Sequence, residues 1–237
     1  MLTIVIGALL SGSLLAQSSS ASSDLQSLEI QQTDAPLFPH RLMQLGVTQG
    51  EAQVAINTDA TGKLVEWLVI GYTAPEFADA AVRAIKHWEF KPARLRGEPV
   101  GTVVELIFSF EAKGVVVSSA DLTEQFTGHL MRIMEGRYTY RPCAVQQLDR
   151  LPAPTVTVAP HYSNALAAQG VKGSVTVEFF IDESGTVRMP SASAKDNTTL
   201  TALAVDAVSH WKFTPPTSRG KGVLVKASQE FNFKNGG

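Results

Sequence analysis

The chain of 237 residues repeats itself at a fixed spacing. The segment His-Trp-Glu-Phe-Lys-Pro that begins at His87 returns as His-Trp-Lys-Phe-Thr-Pro at His210, 123 positions later. The same spacing joins Gly62 to Gly185. Solenoid repeats recur every ~20 to 50 residues and cannot fold alone, whereas a unit of about 75 residues can just bury a core of its own. The sequence therefore predicts two copies of one small domain.

The composition limits the kinds of partner that the chain can bind. Apolar residues make up 44% of the chain and charged residues 18%, which is typical of a globular protein. The formal net charge is -2 and no run of lysines or arginines occurs, so the chain has no strong field for nucleic acid. The single cysteine, Cys143, cannot form an internal disulfide. We expect no nucleic-acid partner.

The N-terminus carries an uncharged apolar block over residues 1–16, followed by small polar residues. The block is shorter than the roughly 20 residues that a membrane-spanning helix needs. It is typical of the apolar part of a secretory signal, with cleavage near Ala16 or Ala21. Residues 1–21 are therefore predicted to be a signal peptide or a short N-terminal anchor, and residues 22–35 a linker. In both cases we expect the folded part to lie outside the cytoplasm.

Each copy shows the same order of local patterns. A short helical turn leads into a hairpin, because Ala52, Val54 and Ile56 alternate with more polar residues, as in a half-buried strand. Asp59 and Gly62 supply the chemistry of the turn between the two strands. An amphipathic helix and a final strand follow. The predicted fold class is α+β, with one antiparallel sheet and one main helix in each copy, over residues 36–111 and 158–234.

The predicted main helices have matching apolar stripes. The stripe of the first copy has spacings of 4, 3 and 4 residues, and the second copy repeats it; the members are Phe77, Ala81, Ala84 and Trp88, and Leu200, Ala204, Ala207 and Trp211. Pro92 and Pro215 follow each stripe and prevent a longer helix.

Residues 112–157 join the two copies. Leu122, Phe126, Leu130 and Ile133 have helical spacing and predict one amphipathic helix there. The segment is too apolar for a flexible tether, so we expect it to pack on one or both copies.

Several motifs carry a resemblance to a known family. The second copy reads Gly-Ser-Val-Thr-Val-Glu-Phe-Phe-Ile-Asp-Glu-Ser-Gly-Thr-Val over residues 173–187. It continues with Ala-Val-Ser-His-Trp-Lys-Phe-Thr-Pro over 207–215 and Phe-Asn-Phe over 231–233. The first copy follows the pattern more loosely. These motifs resemble the TonB C-terminal domain, so the chain looks like a TonB family protein with two such domains in tandem. Ser163 departs from the family pattern, which has Pro there.

The resemblance implies a protein-binding module. Family members contact ligand-gated outer-membrane transporters from the periplasm, and they pair a short peptide of the transporter with a sheet edge. By that resemblance, the final strand of each copy is a candidate edge; its candidate residues are Glu105, Ile107 and Ser109 in the first copy, and Gln229, Glu230, Phe231 and Asn232 in the second. Both edges could instead be covered by the rest of the chain. The openings at Phe38 and Tyr162 are then the remaining candidates.

Two functions fit this resemblance. A complete energy transducer needs an inner-membrane anchor and a long stiff spacer, but only 19 residues, 17–35, separate the apolar block from the first copy. They span at most about 65 Å when fully extended. A periplasmic adaptor that binds a transporter, another envelope protein or peptidoglycan fits this length better. The transducer stays as the alternative.

The sequence contains no enzyme signature. It lacks a nucleophile-elbow motif, a phosphate loop, a zinc-protease motif and paired cysteines. His87 and His210 occupy equivalent places before the tryptophan that ends each helix, where a cation suits the helix C-terminus. We expect no catalytic residue, no metal site, no cofactor and no small-molecule substrate.

Overall fold

The computed structural model describes residues 4–7, 25–32, 34–112, 137–192 and 197–234. The chain forms two compact units, Met1–Arg141 and Pro142–Gly237, here called the first unit and the second unit. Each unit contains antiparallel strands and one main helix, so the predicted α+β class is confirmed. The predicted joining helix and all but residues 4–7 of the predicted signal segment lie outside the described residues.

The described elements of the first unit, in chain order, are β1 (Ile4–Gly7), β2 (Leu25–Gln26), β3 (Glu29–Gln32), α1 (His40–Gln44), β4 (Gln49–Thr58), β5 (Leu64–Tyr72), α2 (Pro75–Ile85), β6 (Glu89–Lys91), β7 (Ala93–Leu95), β8 (Glu98–Val100) and β9 (Thr102–Glu111). The main sheet has the order β1-β9-β4-β5, and every neighbouring pair in it is antiparallel.

Helix α2 lies on one face of this sheet. Phe77, Ala81 and Ala84 are buried, as the apolar stripe predicts. Phe77 is the centre of the contact, because its ring lies 4.8 Å from that of Phe110 on β9. Burying one such side chain contributes about 1.5–3 kcal/mol. Pro75 begins the helix at a position where its missing N–H costs no hydrogen bond.

The described elements of the second unit, in chain order, are a 3₁₀ turn (Val145–Gln147), β10 (Pro154–Val156), α3 (Asn164–Ala168), β11 (Gly173–Ile181), β12 (Val187–Ala192), α4 (Thr198–Ser209), β13 (Lys212–Phe213), β14 (Thr217–Ser218), β15 (Lys221–Gly222) and β16 (Val225–Phe233). The main sheet has the order β12-β11-β16.

The second unit repeats the packing of the first with different helix caps. Leu200, Ala204 and Val208 of α4 are buried against the sheet. The side chain of Asn197 caps α4, and its Oδ1 accepts bonds from two backbone N–H groups. Ser163 caps α3 by accepting a bond from the N–H of Leu166. The departure from the family's proline at Ser163 therefore provides a helix cap.

The hairpin turns explain two of the repeated glycines. Gly62 has φ +87° and Gly185 has φ +84°, in the left-handed region that favours glycine. A Cβ atom on Gly62 would lie 2.2 Å from the carbonyl oxygen of Phe90, and one on Gly185 would lie 2.1 Å from that of Phe213. Each glycine thus lets the hairpin turn pack against the strand that follows the main helix.

Each unit also has an N-terminal arm, which we define as residues 25–34 in the first unit and 149–158 in the second. In the first arm, β2 pairs with β7 and β3 pairs with β6. In the second arm, β10 pairs with β13, and Pro154 lies opposite Phe213 as Ile30 lies opposite Phe90. Parts of the predicted linker, residues 25–26 and 29–32, and of the end of the predicted joining segment, residues 154–156, thus form paired strands.

Residues 138–140, in the middle of the predicted joining segment, pack on the rest of the first unit. The hydroxyl of Tyr138 donates to Glu51 across 2.6 Å and accepts from the Gln53 amide across 2.7 Å. Burial and the Glu51 carboxylate together raise the pKa of Tyr138. The ring of Tyr140 stacks on that of Tyr72 at 5.1 Å. Tyr138 thus contacts β4, and Tyr140 contacts the end of β5.

Candidate partner-binding edges

The final strand of each main sheet pairs on one side with the first strand of the hairpin. β9 pairs with β4 over the whole of its length, and β16 pairs with β11 in the same way. The opposite side of each final strand is the edge that the family resemblance marks as a candidate site. The two edges differ in whether another strand of the chain pairs with them.

The edge of β9 is paired within the chain. Gly7 of β1 lies opposite Glu105, and Val5 lies opposite Ile107, in an antiparallel register. The predicted site residues Glu105 and Ile107 are therefore in a strand with a neighbour on both sides. Ser109 lies one position beyond the residues that β1 covers.

The edge of β16 is open in the described residues of the second unit, where β16 pairs with β11 alone. Alternate residues of a strand direct their main-chain groups to the same side. The carbonyl of Leu224, just before β16, accepts from the N–H of Cys143, which is not part of β11. Even-numbered residues of β16 thus direct their N–H and C=O groups to the open edge; they are Lys226, Ser228, Glu230 and Asn232.

The first unit supports this assignment. The N–H of Ala112 donates to the carbonyl of Thr48, so even-numbered residues of β9 face β4 and odd-numbered residues face β1. Glu105 and Ile107 correspond, at the repeat spacing of 123, to Ser228 and Glu230. Two independent hydrogen bonds in the two units give the same alternation.

A side chain already occupies part of the open edge. The Nε2 group of Gln229 donates to the carbonyl of Glu230 across 2.8 Å. This carbonyl is one of the groups that a partner strand would use. Gln229 therefore caps the open edge and must release it before pairing, as natural edge strands often limit unwanted association.

The predicted residues of β16 thus divide into two sets. Glu230 and Asn232 present both their main chain to the edge and exposed side chains to the sheet face away from α4. Gln229 and Phe231 direct their main chain towards β11, so only their side chains are available. The ring of Phe231 lies 5.7 Å from that of Trp211 on the helix side.

The aromatic residues at the two predicted openings pack within their own units. The ring of Phe38 packs edge-on against Phe77 at 5.4 Å. The ring of Tyr162 lies 5.4 Å from that of Phe233, and its hydroxyl donates to the carbonyl of Val171. Both side chains are half-buried. Their packing accounts for the aromatic residue at each opening and leaves the edges as the stronger candidates.

Sequence reasoning missed two parts of this arrangement. Lys226 and Ser228 belong to the outward row of β16 but were not among the predicted residues. The repeat spacing pairs Ser228 with the predicted Glu105, and this signal could have found it. The arms left almost no signal, because their pairing uses main-chain groups.

The carboxylates with shifted pKa values are engaged in turns. Two backbone N–H groups, of Gly220 and Arg219, lower the pKa of Asp149. Burial of Asp182 opposes ionisation, but bonds from Ser184 and Thr186 outweigh it and lower its pKa. Among the described residues, no group of three or more His, Cys, Asp or Glu could hold a metal ion.

Comparison with protein families assigns the fold. The model of the family described as Gram-negative bacterial TonB protein C-terminal matches residues 34–112 and 158–235. The chain belongs to the TonB C-terminal family. The two matches confirm the predicted tandem of TonB C-terminal domains. No curated protein matches the chain.

Membership of the TonB C-terminal family indicates a general functional class. The family domain is not an enzyme domain, and it implies a role in transport at the cell envelope and a periplasmic or envelope location. Its members generally interact with outer-membrane transporters. No helix in the described part of this TonB-family chain has the length and apolar content to cross a membrane.

Proposed function

We propose that this protein is a TonB-like adaptor of the periplasm that binds an extended segment of an outer-membrane transporter at the edge of β16. The observation that carries the proposal is the open outward row of β16, Val225–Phe233. Four successive even-numbered residues there offer main-chain donors and acceptors to one added strand. Main-chain hydrogen bonds would supply affinity, and neighbouring side chains would supply selectivity.

The arm of the first unit favours an adaptor over a complete energy transducer. Apart from β1, which lies inside the apolar block, the first paired residue of the described chain is Leu25, so eight residues, 17–24, lie between the block and the arm. Eight residues reach at most about 28 Å when fully extended. A block that anchored the protein in the inner membrane would hold the first unit close to that membrane. An adaptor does not need a longer spacer between the apolar block and the first unit.

Photocrosslinking in cells tests the proposal. A photoreactive amino acid replaces Ser228, whose main chain faces the open edge, and the captured proteins are identified by mass spectrometry. The matched control places the same amino acid at Ala202, which is exposed on α4. We expect Ser228, and not Ala202, to capture the periplasmic segment of an outer-membrane transporter.

The other outcomes separate the alternatives. Capture that disappears when the proton gradient is dissipated would favour the energy transducer. Capture of peptidoglycan or of another envelope protein would keep the adaptor and replace the transporter as its partner. Equal capture at Ser228 and Ala202, or none at Ser228, would overturn strand pairing at β16.

A further inference from the structure

The two final strands present different residues at equivalent edge positions. The outward row of β9 is Val103, Glu105, Ile107 and Ser109, and that of β16 is Lys226, Ser228, Glu230 and Asn232. At the repeat spacing of 123, Ile107 of the first unit corresponds to Glu230 of the second. The centre of the edge therefore changes from an apolar to an acidic residue.

Glu230 is well placed to select a partner residue. Its main chain faces the open edge, so an antiparallel partner strand would place one residue directly opposite it. The side chain of that residue would lie on the same sheet face, with Cβ atoms about 5 Å apart. Opposite charges at such cross-strand positions are favourable, and like charges are unfavourable.

The Glu230 carboxylate has no ion-pair partner in the part of the second unit that the structure describes. The cation of its own row, Lys226, is held by Glu178 at 3.2 Å. The neighbour of Glu230 on β11 is Thr176, which carries no charge. An added strand would thus meet one uncompensated negative charge at this position.

The residues next to the position opposite Glu230 would meet a different surface. Side chains alternate across a strand, so these residues would lie on the helix side of the sheet. There, Phe231 and Trp211 are both half-buried, with their rings 5.7 Å apart. An apolar residue of the partner would cover the exposed part of Phe231.

We infer that the open edge of β16 selects an extended partner segment with a lysine or arginine opposite Glu230 and an apolar residue beside it. The inference rests on the proposed function, since it names the chemistry of the segment that β16 binds. Cross-strand ion pairs of this kind predict a preference of about two- to fivefold for a basic over a neutral residue.

A peptide selection tests the inference. Random ten-residue peptides displayed on phage are selected for binding to the full chain. Peptides that bind the wild type but do not bind the Ser228→Pro variant are called edge-dependent. This variant removes one outward N–H and leaves the ladder with β11 intact, as proline at edge positions does. Asn232→Pro serves as a second blocking variant, and circular dichroism verifies that each is folded.

We expect one basic position in the edge-dependent peptides. Selection against Glu230→Lys should replace it with an acidic residue, and Glu230→Gln should remove the preference. Glu183→Lys makes the same charge change in an exposed turn and should have no effect. If the edge-dependent peptides selected against all of these variants carry the same residue at that position, the inference is wrong, although strand pairing at β16 is still supported. No edge-dependent peptides at all would overturn both.

Discussion

The indole N–H of Trp211 donates a hydrogen bond to the carbonyl oxygen of Val158 across 2.8 Å. Trp88 makes the corresponding bond to the carbonyl of Asp34 across 2.9 Å. Each tryptophan follows the main helix of its unit, and each acceptor lies in the arm of that unit. The residue that ends the helix stripe therefore also fastens the arm, and this dual role explains why both copies have it.

Replacing these tryptophans should loosen the arms. Trp211→Phe and Trp88→Phe each remove the indole donor and leave an apolar ring, which should lower the free energy of unfolding by about 1–2 kcal/mol. We expect Trp88→Phe to cost more, because Trp88 is 6% exposed whereas Trp211 is half-buried. Urea denaturation measures the loss. Hydrogen exchange that stayed slow in the arm of each variant would show that the bond does not hold the arm.

The turn glycines allow a matched comparison. Gly62→Ala places a Cβ 2.2 Å from the carbonyl oxygen of Phe90, whereas Gly97→Ala meets no atom within 4 Å; both have positive φ. The strain of a left-handed alanine, about 1–2 kcal/mol, is common to both variants. We therefore expect Gly62→Ala to unfold at a clearly lower temperature than Gly97→Ala. Equal melting temperatures in calorimetry would contradict the steric explanation.

The stability of the second unit should depend on acid through Asp182. Its folded pKa lies below the ordinary value of 3.8, so its stabilising effect is present above about pH 4 and is lost as pH falls through the folded pKa. Asp182→Asn should lower the free energy of unfolding by about 1 kcal/mol at pH 7. The difference from the wild type should shrink towards pH 2 in urea titrations. A constant difference at both pH values would refute the ionic contribution.

The cap on the open edge should limit binding. Gln229→Glu keeps the length of the side chain but removes the Nε2 donor that bonds the Glu230 carbonyl. We expect the crosslinking yield from Ser228 to rise about two- to fivefold, in proportion to one net hydrogen bond of about 0.5–1 kcal/mol. Gln229→Asn, which keeps an amide on a shorter side chain, is the control. A yield that fell with Gln229→Glu would show that Gln229 assists binding.

The local patterns of the sequence determined the repeat, the α+β class, the hairpin turns and the helix stripes. These features follow from interactions between near neighbours. Asp59, for example, bonds the N–H groups of Thr61 and Lys63 within its own turn. Phe77 and Ala81 lie on one helix face because of the helical period. Both copies repeat such patterns, so the sequence alone predicts them.

Only the tertiary structure decided where the arms lie and which edge is open. Ile30 and Pro154 occupy equivalent places opposite Phe90 and Phe213 although their side chains differ, because the pairing of the arms uses main-chain groups and not particular side chains. The edge of β9 is covered through pairs such as Val5 with Ile107, about a hundred positions apart in the chain. No local pattern records such a contact, and the same holds for the open edge of β16.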